Sequence, residues 1–149
     1  MTPGTIDLGV VSERLGIATA CLRDLRALPT SSLEEFQSDP RNPAAAESFL
    51  RRGIESLLDV ARHLLAKAFG DSAVEYRTVA LRAAERGLIV DPAVAKRFPE
   101  LAGYRNRLTH FYADVTPREL FDIVTSRLGD LESTADELRQ AAARLGPST

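Results

Sequence analysis

Apolar residues recur at spacings of three and four along most of the chain, and this period predicts amphipathic helices. Over residues 6–28 the apolar positions are Leu8, Val11, Leu15, Ala18, Leu22 and Leu25. A longer stretch ends near Phe69 and carries Leu50, Ile54, Leu57, Leu58, Ala61, Leu65 and Ala68. The last stretch is a heptad seam of Val124, Leu128, Leu131, Ala135, Leu138, Ala142 and Leu145. Stripes of this kind pack against one another in a helical bundle.

Capping residues, glycines and prolines divide the stripes into separate helices. A serine–glutamate capping box before Phe36 predicts a short helical turn, and two Asx-Pro pairs at residues 39–43 predict the start of the long helix. Gly70 is expected to end it. Ser72 with Glu75 is expected to cap a third helix over roughly residues 73–86. Residues 88–90 are apolar and are predicted to form a buried connector.

The final third of the chain is predicted to hold a short turn and two helices. Asp91-Pro92 opens the turn, which is expected to end near Phe98, and Pro99 is expected to start a helix that runs to about Val115. Residues 116–119 combine a capping box with a proline, and predict one last helix to about Leu145. The sum is an all-α, up-and-down bundle of four to five helices.

The apolar content and the net charge favour a soluble globular protein and disfavour a dedicated nucleic-acid binder. The apolar content is 44% and the net charge is −2, so the chain lacks the strong basic charge of a dedicated nucleic-acid binder. A small phosphate site, or one assembled from two subunits, remains compatible with that charge. No apolar run approaches the roughly 20 residues of a membrane span. The beginning of the sequence lacks the pattern of a secretory signal, and Cys21 is the single cysteine. We expect one domain over residues 1–149, with an ordered core of about 6–145, in the cytoplasm.

The densest group of reactive side chains lies in residues 103–112. Its sequence reads Gly-Tyr-Arg-Asn-Arg-Leu-Thr-His-Phe-Tyr, and it contains one of the two histidines in the chain. Arg105 offers a fixed positive charge, His110 a proton carrier near neutral pH and Tyr112 a hydroxyl. Arg, Asn and His on a helix are more often a solvated face than a site, so the spacing alone indicates no more than a soluble helical bundle.

A helical wheel separates these side chains. It places Leu101, Tyr104, Leu108, Phe111 and Val115 on the core side. Asn106 and His110 share the opposite face, with Arg105 and Tyr112 on a flank. Arg105 and His110 are then about 140° apart on a regular helix, so they do not naturally converge on one small ligand. The arginine stem could wrap round the helix, the helix could distort or end near His110, or two copies could meet across a two-fold axis. Gly103 favours close approach of another backbone.

A second polar group lies on the long helix and consists of Arg51, Glu55, Asp59, Arg62 and His63. Two interpretations stay open: a solvated face with helical ion pairs, or a face that partly lines a cleft or a dimer contact. Asp59 and His63 are four residues apart and could pair. Metal ligation by these two residues is disfavoured because no third ligand is near them in sequence. We expect no metal and no cofactor.

The segment Arg105-Asn106-x-Leu108-x-His110-x-Tyr112 resembles the signature of HEPN domains of the HepT type. These small all-α proteins carry an arginine, four to six residues, then a histidine, and the HepT group adds a tyrosine two residues later. The resemblance extends over roughly residues 8–140, through the entry to the long helix and the segments that flank the motif.

This resemblance implies a function and partners. HEPN domains are commonly metal-independent endoribonucleases, and HepT-type members are toxins of toxin–antitoxin pairs. It implies a homodimer with the motifs of both copies in an interfacial cleft, with Arg105, His110 and Asn106 as the catalytic residues acting on RNA. It further implies a minimal nucleotidyltransferase antitoxin that transfers AMP onto Tyr112. Two alternatives are a non-catalytic module that binds a nucleotide or the nucleotidyltransferase, and a purely structural bundle.

Overall fold

The computed structural model describes residues 4–147, and over that range its regular structure is helical. The helices are α1 (Leu8–Arg26), α2 (Leu33–Gln37), α3 (Arg41–Phe69), α4 (Tyr76–Glu85), α5 (Pro92–His110), α6 (Pro117–Ser126) and α7 (Leu128–Leu145). A 3-10 turn, Tyr112–Asp114, lies between α5 and α6. The predicted all-α bundle is therefore confirmed. Its long members are α1, α3, α5 and α7, and the shorter helices pack around them.

The predicted stop and start signals hold at several helix ends. The Ser32 hydroxyl accepts the Glu35 N–H at 3.0 Å and starts α2. The Thr116 hydroxyl accepts the Glu119 N–H at 3.1 Å and starts α6. Gly70 ends α3 with φ of 64°, a left-handed conformation that glycine adopts without steric cost.

The predicted start of α4 was wrong. The helix begins at Tyr76 rather than near residue 73, and its cap is the Glu75 carboxylate, which accepts the backbone N–H groups of Arg77 and Thr78. The N-cap is therefore Glu75 and not Ser72. The Asp71 carboxylate accepts the Ala73 N–H at 3.1 Å, and residues 71–75 lie outside the helices.

A single helix, α5, spans residues 92–110. The sequence had predicted a short turn that ends near Phe98 and a separate helix that starts at Pro99. Asp91 caps it by accepting the Ala93 N–H at 2.8 Å. Pro99 lies inside this helix, where it removes one backbone hydrogen bond. Pro99 is buried together with Phe98 and Leu101, and this apolar burial offsets the lost bond.

Helix α5 also ends earlier than predicted, at His110 rather than near Val115. Phe111 leaves the helical conformation with φ of −132°, and the 3-10 turn follows. The expectation that Phe111 lies in the core is therefore wrong, since its side chain is 59% exposed. Leu101 and Leu108 are buried as predicted, and Tyr104 packs against the core from its edge.

The predicted last helix is broken into α6 and α7 at Arg127. The hydroxyl of Thr125 donates to the Phe121 carbonyl at 2.8 Å, and the Ser126 hydroxyl donates to the Asp122 carbonyl. Such side-chain bonds compete with the helical pattern and favour a bend. The heptad seam is buried as predicted up to Ala142, whereas Leu145 is 37% exposed.

Helix α3 is the central element of the bundle. It packs against all six other α-helices, and α5 also packs against α4. The buried apolar side chains form one cluster with members from every α-helix named above. Because α3 and α4 both border α5, the side chain of Arg105 reaches residues of both. No helix within residues 4–147 is long and apolar enough to cross a lipid bilayer.

Candidate functional site

A cavity of about 520 Å³ lies where the C-terminal end of α5 meets α3 and the segment before α4. Its lining residues are Arg62, Val74, Glu75, Tyr76, Arg105, Asn106, His110 and Phe111. The three side chains predicted to be catalytic therefore border one cavity within a single copy. Of the three arrangements that the helical wheel left open, the end of the helix near His110 is the one observed in this copy. Tyr112 is next to this cavity in sequence but is not among its lining residues.

Arg105 is the most enclosed of the three, with a side chain that is 17% exposed. Its guanidinium carbon lies 4.6 Å from the centre of the Tyr76 ring, within the range of a cation–π contact. Its Nε lies 3.5 Å from a carboxylate oxygen of Glu55, and its Nη1 donates to the Asn106 side-chain oxygen at 3.3 Å. Within residues 4–147 the buried Nε has no hydrogen-bond acceptor. The guanidinium is thus held between an aromatic ring, a carboxylate and an amide oxygen.

Tyr76 is the platform on which Arg105 rests. Its hydroxyl donates to Asp59 at 2.6 Å, and Arg62 donates to the same carboxylate oxygen at 2.9 Å. The Arg62 guanidinium also lies 5.2 Å from the Tyr76 ring centre. Burial, reinforced by the hydrogen bond to Asp59, raises the pKa of Tyr76 to about 12, so the phenol stays neutral at ordinary pH.

His110 is the last residue of α5 and its side chain is exposed. The rings of His110 and Phe111 meet edge to face, with centres 6.5 Å apart and planes at 74°. An imidazole in this position is accessible to a ligand in the cavity. Together with a guanidinium and a carboxamide, it offers anion binding and proton transfer at one place.

The polar face of α3 is divided between this cavity and the rest of the surface. Glu55 approaches Arg105, and Arg51 approaches the same Glu55 carboxylate at 3.9 Å. Arg62 lines the cavity, and Asp59 supports it through Tyr76. Asp59 and His63 are not paired, because Asp59 is bonded to Arg62 and Tyr76 while His63 faces α1.

His63 serves the fold rather than the cavity. Its Nε2 accepts the backbone N–H of Asp7 at 3.0 Å, just before the start of α1. Burial and the nearby charge of Lys67 lower the pKa of His63, against a weaker opposing effect of Asp7. The neutral imidazole is the form that accepts this hydrogen bond.

Gly103 lies on the same stripe of α5 as Asn106 and His110, about one turn before Asn106 and two turns before His110. Among residues 4–147, a Cβ atom at Gly103 would meet no atom within 4 Å beyond its chain neighbours and its own helix backbone, so no other element of this range approaches it closely. The close approach of a second copy stays a prediction. Among residues 4–147 there is no group of three or more His, Cys, Asp or Glu side chains placed to hold a metal ion.

Sequence reasoning identified the motif but missed the residues that support it. Tyr76, Val74 and Glu75 come from a loop and a helix start far from the motif in sequence. Their polar and apolar types follow no periodic pattern that points to the cavity. Only the packing of α4 against α5 brings them to Arg105.

Comparison with known proteins gives concordant results in sequence and in fold. A curated protein from Aphanizomenon flos-aquae named tRNA nuclease HepT is 26% identical over 120 residues, which is 80% of each chain. A solved complex of a tri-AMPylated HEPN toxin from Shewanella oneidensis with its MNT antitoxin contains a chain of the same fold. That match has a TM-score of 0.77 and 18% identity, and covers 88% of this chain and 97% of the other.

Two further solved structures share the fold. A toxin–antitoxin complex with AMP-PNP matches with a TM-score of 0.75 and 18% identity, over 87% of this chain and 97% of the other. The cytosolic protein YutE of Bacillus subtilis, whose function is described as unknown, matches with a TM-score of 0.80 and 16% identity, over 98% of both chains. The family model described as Ribonuclease HepT-like matches residues 18–138. The chain therefore belongs to the HepT-like family of ribonucleases.

Proposed function

We propose that this chain is the toxin of a toxin–antitoxin pair and acts as a metal-independent endoribonuclease, with Arg105, Asn106 and His110 as its catalytic residues. The observation that carries the proposal is their shared position on one cavity at the end of α5. Membership of the HepT-like family and the relative named tRNA nuclease HepT support RNA as the substrate. The structural relatives described as toxin–antitoxin complexes support the biological role.

The proposed reaction uses the 2′-hydroxyl of the RNA itself. An imidazole takes the proton of this hydroxyl. The 2′ oxygen then forms a bond to the adjacent phosphorus while the bond from phosphorus to the 5′ oxygen breaks. Arg105 binds the phosphate and stabilises the charge that builds up on it. A protonated imidazole gives its proton to the departing 5′ oxygen. Asn106 orients the guanidinium through its side-chain oxygen.

A homodimer would supply both imidazoles. One His110 would act as the base and the His110 of the second copy as the acid. Gly103 supports this arrangement because it lies on the same stripe as His110 and leaves open space where a Cβ would stand. A helix from a second copy would fit closely against this stripe.

The dimer is tested by adding bulk at Gly103. Gly103→Leu should lower the fraction of dimer in sedimentation velocity and reduce RNA cleavage. Gly129→Leu is the matched control, because Gly129 also lies in a helix with open space around its Cβ position. An unchanged dimer fraction in Gly103→Leu would contradict this placement of the interface.

The ribonuclease activity is tested with purified, unmodified protein and RNA. His110→Ala should lower the cleavage rate by about 10²- to 10⁴-fold, the usual contribution of a general acid or base. His63→Gln is the matched control and should keep the wild-type rate, since its imidazole faces α1. If the unmodified wild type cuts no RNA yet binds RNA or the nucleotidyltransferase tightly, the protein is a non-catalytic binding module instead.

We further propose that a minimal nucleotidyltransferase antitoxin neutralises the toxin by transferring AMP to Tyr112. The Tyr112 oxygen would bond to the α-phosphorus of ATP, the bond between the α- and β-phosphates would break, and pyrophosphate would leave with the phenol proton taken by a base. Tyr112 is 62% exposed and one residue from the cavity lining, which supports access by an enzyme. The bound AMP would place bulk and negative charge beside the cavity.

Intact-protein mass spectrometry tests this modification after incubation with the nucleotidyltransferase and ATP. The wild type should gain AMP, and Tyr112→Phe should gain none. Tyr104→Phe is the matched control and should be modified like the wild type, since Tyr104 packs against the core. AMP found on another residue would contradict the assignment.

A further inference from the structure

Two exposed apolar side chains from separate parts of the chain border the cavity that holds Arg105 and His110. Val74, in the loop before α4, is 73% exposed, and Phe111, just after α5, is 59% exposed. Phe111 is the unspecified position between His110 and Tyr112, so the Arg-x4-His-x-Tyr motif assigns it no role. Exposed apolar side chains that meet at one concave site commonly mark the apolar part of a ligand.

The other lining residues define the kind of ligand. Arg62 and Arg105 carry two positive charges, and Asn106 adds an amide. The one acidic residue of the lining, Glu75, is engaged at the start of α4, where its carboxylate accepts two backbone N–H groups. The Arg62 charge is paired with Asp59 at 2.9 Å, whereas the carboxylate nearest to the Arg105 Nε, that of Glu55, is 3.5 Å away. A ligand that combines a planar apolar group with an anionic group close by matches both parts of the cavity. A nucleotide has this combination in its base and its phosphate.

We propose that Phe111, flanked by Val74, is a stacking subsite for the base of a nucleotide next to the scissile phosphate. This proposal rests on the proposed ribonuclease function and adds a substrate contact to it. The end of α5 at His110 turns the Phe111 ring out of the core, and the ring lies edge to face with the imidazole, with centres 6.5 Å apart. A stacked base would position the adjoining phosphate near Arg105 without selecting strongly among the four bases.

The absence of tryptophan from the sequence makes this stacking directly measurable. In a His110→Ala background, in which cleavage should be about 10²- to 10⁴-fold slower, Phe111→Trp gives the protein a single indole. A short single-stranded RNA should quench its fluorescence in a saturable manner. An RNA of the same length with abasic residues should quench it far less and bind about 5- to 100-fold more weakly. Val90→Trp in the same background is the matched control, because Val90 is 67% exposed and is not among the residues of this cavity.

Steady-state cleavage by Phe111 variants gives the second readout. Phe111→Ala should raise KM for RNA by about 5- to 100-fold, from the typical contribution of one stacked base, with a smaller effect on kcat. Phe111→Tyr should restore the wild-type KM because it keeps the aromatic face. Phe111→Leu should not restore it, since leucine keeps apolar bulk but offers no ring for stacking.

Three results would overturn the proposal. The first is an indole signal that RNA leaves unchanged, and the second is full rescue by Phe111→Leu. The third is a loss of dimer in Phe111→Ala by sedimentation velocity, which would make Phe111 a contact between copies. Quenching by RNA without cleavage by any variant would refute the ribonuclease function and leave the stacking site intact. If cleavage depends on His110 but RNA does not quench the indole, the stacking site is refuted and the ribonuclease function stands.

Discussion

Two arginine–carboxylate clusters involve or contact residues of α4, and they differ in how well their charged groups are hydrogen-bonded. In the first, the buried Asp71 accepts two hydrogen bonds from Arg82, at 2.8 and 3.0 Å, and Arg86 lies 3.9 Å away. In the second, Glu55 lies 3.5 Å from the Nε of Arg105, and no residue from 4 to 147 accepts a hydrogen bond from this nitrogen.

The difference indicates which cluster serves stability and which serves chemistry. The Asp71 side chain is 3% exposed, and the hydrogen bond from Arg82 outweighs the effect of burial and lowers the pKa of this carboxyl, so the first cluster ties the end of α3 to α4. Arg105 rests on an aromatic ring and lines the cavity, and its ion pair with Glu55 is longer than the contacts between Arg82 and Asp71. A guanidinium held in this way can donate hydrogen bonds to a phosphate without first breaking a strong internal ion pair.

Removal of the Arg105 charge should have the largest effect, and it should fall on activity. We expect Arg105→Ala to lower the rate of RNA cleavage by about 10²- to 10³-fold, because the developing phosphorane loses its fixed cation. Chemical denaturation should show a much smaller change in the free energy of unfolding. Arg82→Ala is the matched control with the opposite profile: lower stability and an unchanged cleavage rate for the folded protein. Equal losses of stability in both variants would remove the contrast.

Neutralisation of Asp71 should affect stability rather than activity. We expect Asp71→Asn to reduce the free energy of unfolding by about 1–3 kcal/mol, because Arg82 loses its charged acceptor. The hydrogen bond from Arg82 also holds the pKa of Asp71 below its ordinary value. Its contribution is therefore present above the ordinary pKa of an aspartate and is lost as the pH falls through the folded-state pKa. Urea denaturation of both proteins at neutral and acidic pH measures this; a gap that widens toward acid would contradict the assignment.

Removal of the Tyr76 ring should produce an intermediate effect on the second cluster. We expect Tyr76→Leu to lower kcat by about 3- to 30-fold, the equivalent of one partly buried cation–π contact, with less effect on KM. Tyr76→Phe keeps the ring and should retain most of the activity, although it loses the hydrogen bond to Asp59. If Tyr76→Phe is as impaired as Tyr76→Leu, the hydroxyl rather than the ring positions Arg105.

The chain sequence predicts the parts of this molecule that depend on local chemistry. The apolar stripes of α1, α3 and α7 have the period of a helix, and Thr116 with Glu119 carries a capping signal that acts within one turn. The motif was equally visible because its residues lie within eight positions of one another. These predictions needed no knowledge of tertiary packing.

The errors lie where distant contacts override local signals. Pro99 looks like a helix start, but burial of its neighbours in the core keeps it inside α5. The early end at His110 placed Phe111 at the cavity instead of in the core, which a regular helical wheel does not predict. Tyr76 carries no local sign of its contact with Arg105, since the contact arises only when α4 packs against α5.

The smallest effect that we predict concerns His63, whose ring nitrogen already accepts a hydrogen bond within the fold. The pKa of His63 is lowered below its ordinary value of 6.5, chiefly by burial and then by Lys67, with Asp7 opposing. As the pH falls through that ordinary value, the unfolded chain binds the proton before the folded one does, so the folded state loses stability until the folded-state pKa is reached. Urea denaturation between pH 7.5 and pH 5 should therefore show a decline that His63→Gln reduces. The outcome follows from geometry, because only His63 must stay neutral to accept the Asp7 N–H. An identical decline in the wild type and His63→Gln would contradict this role.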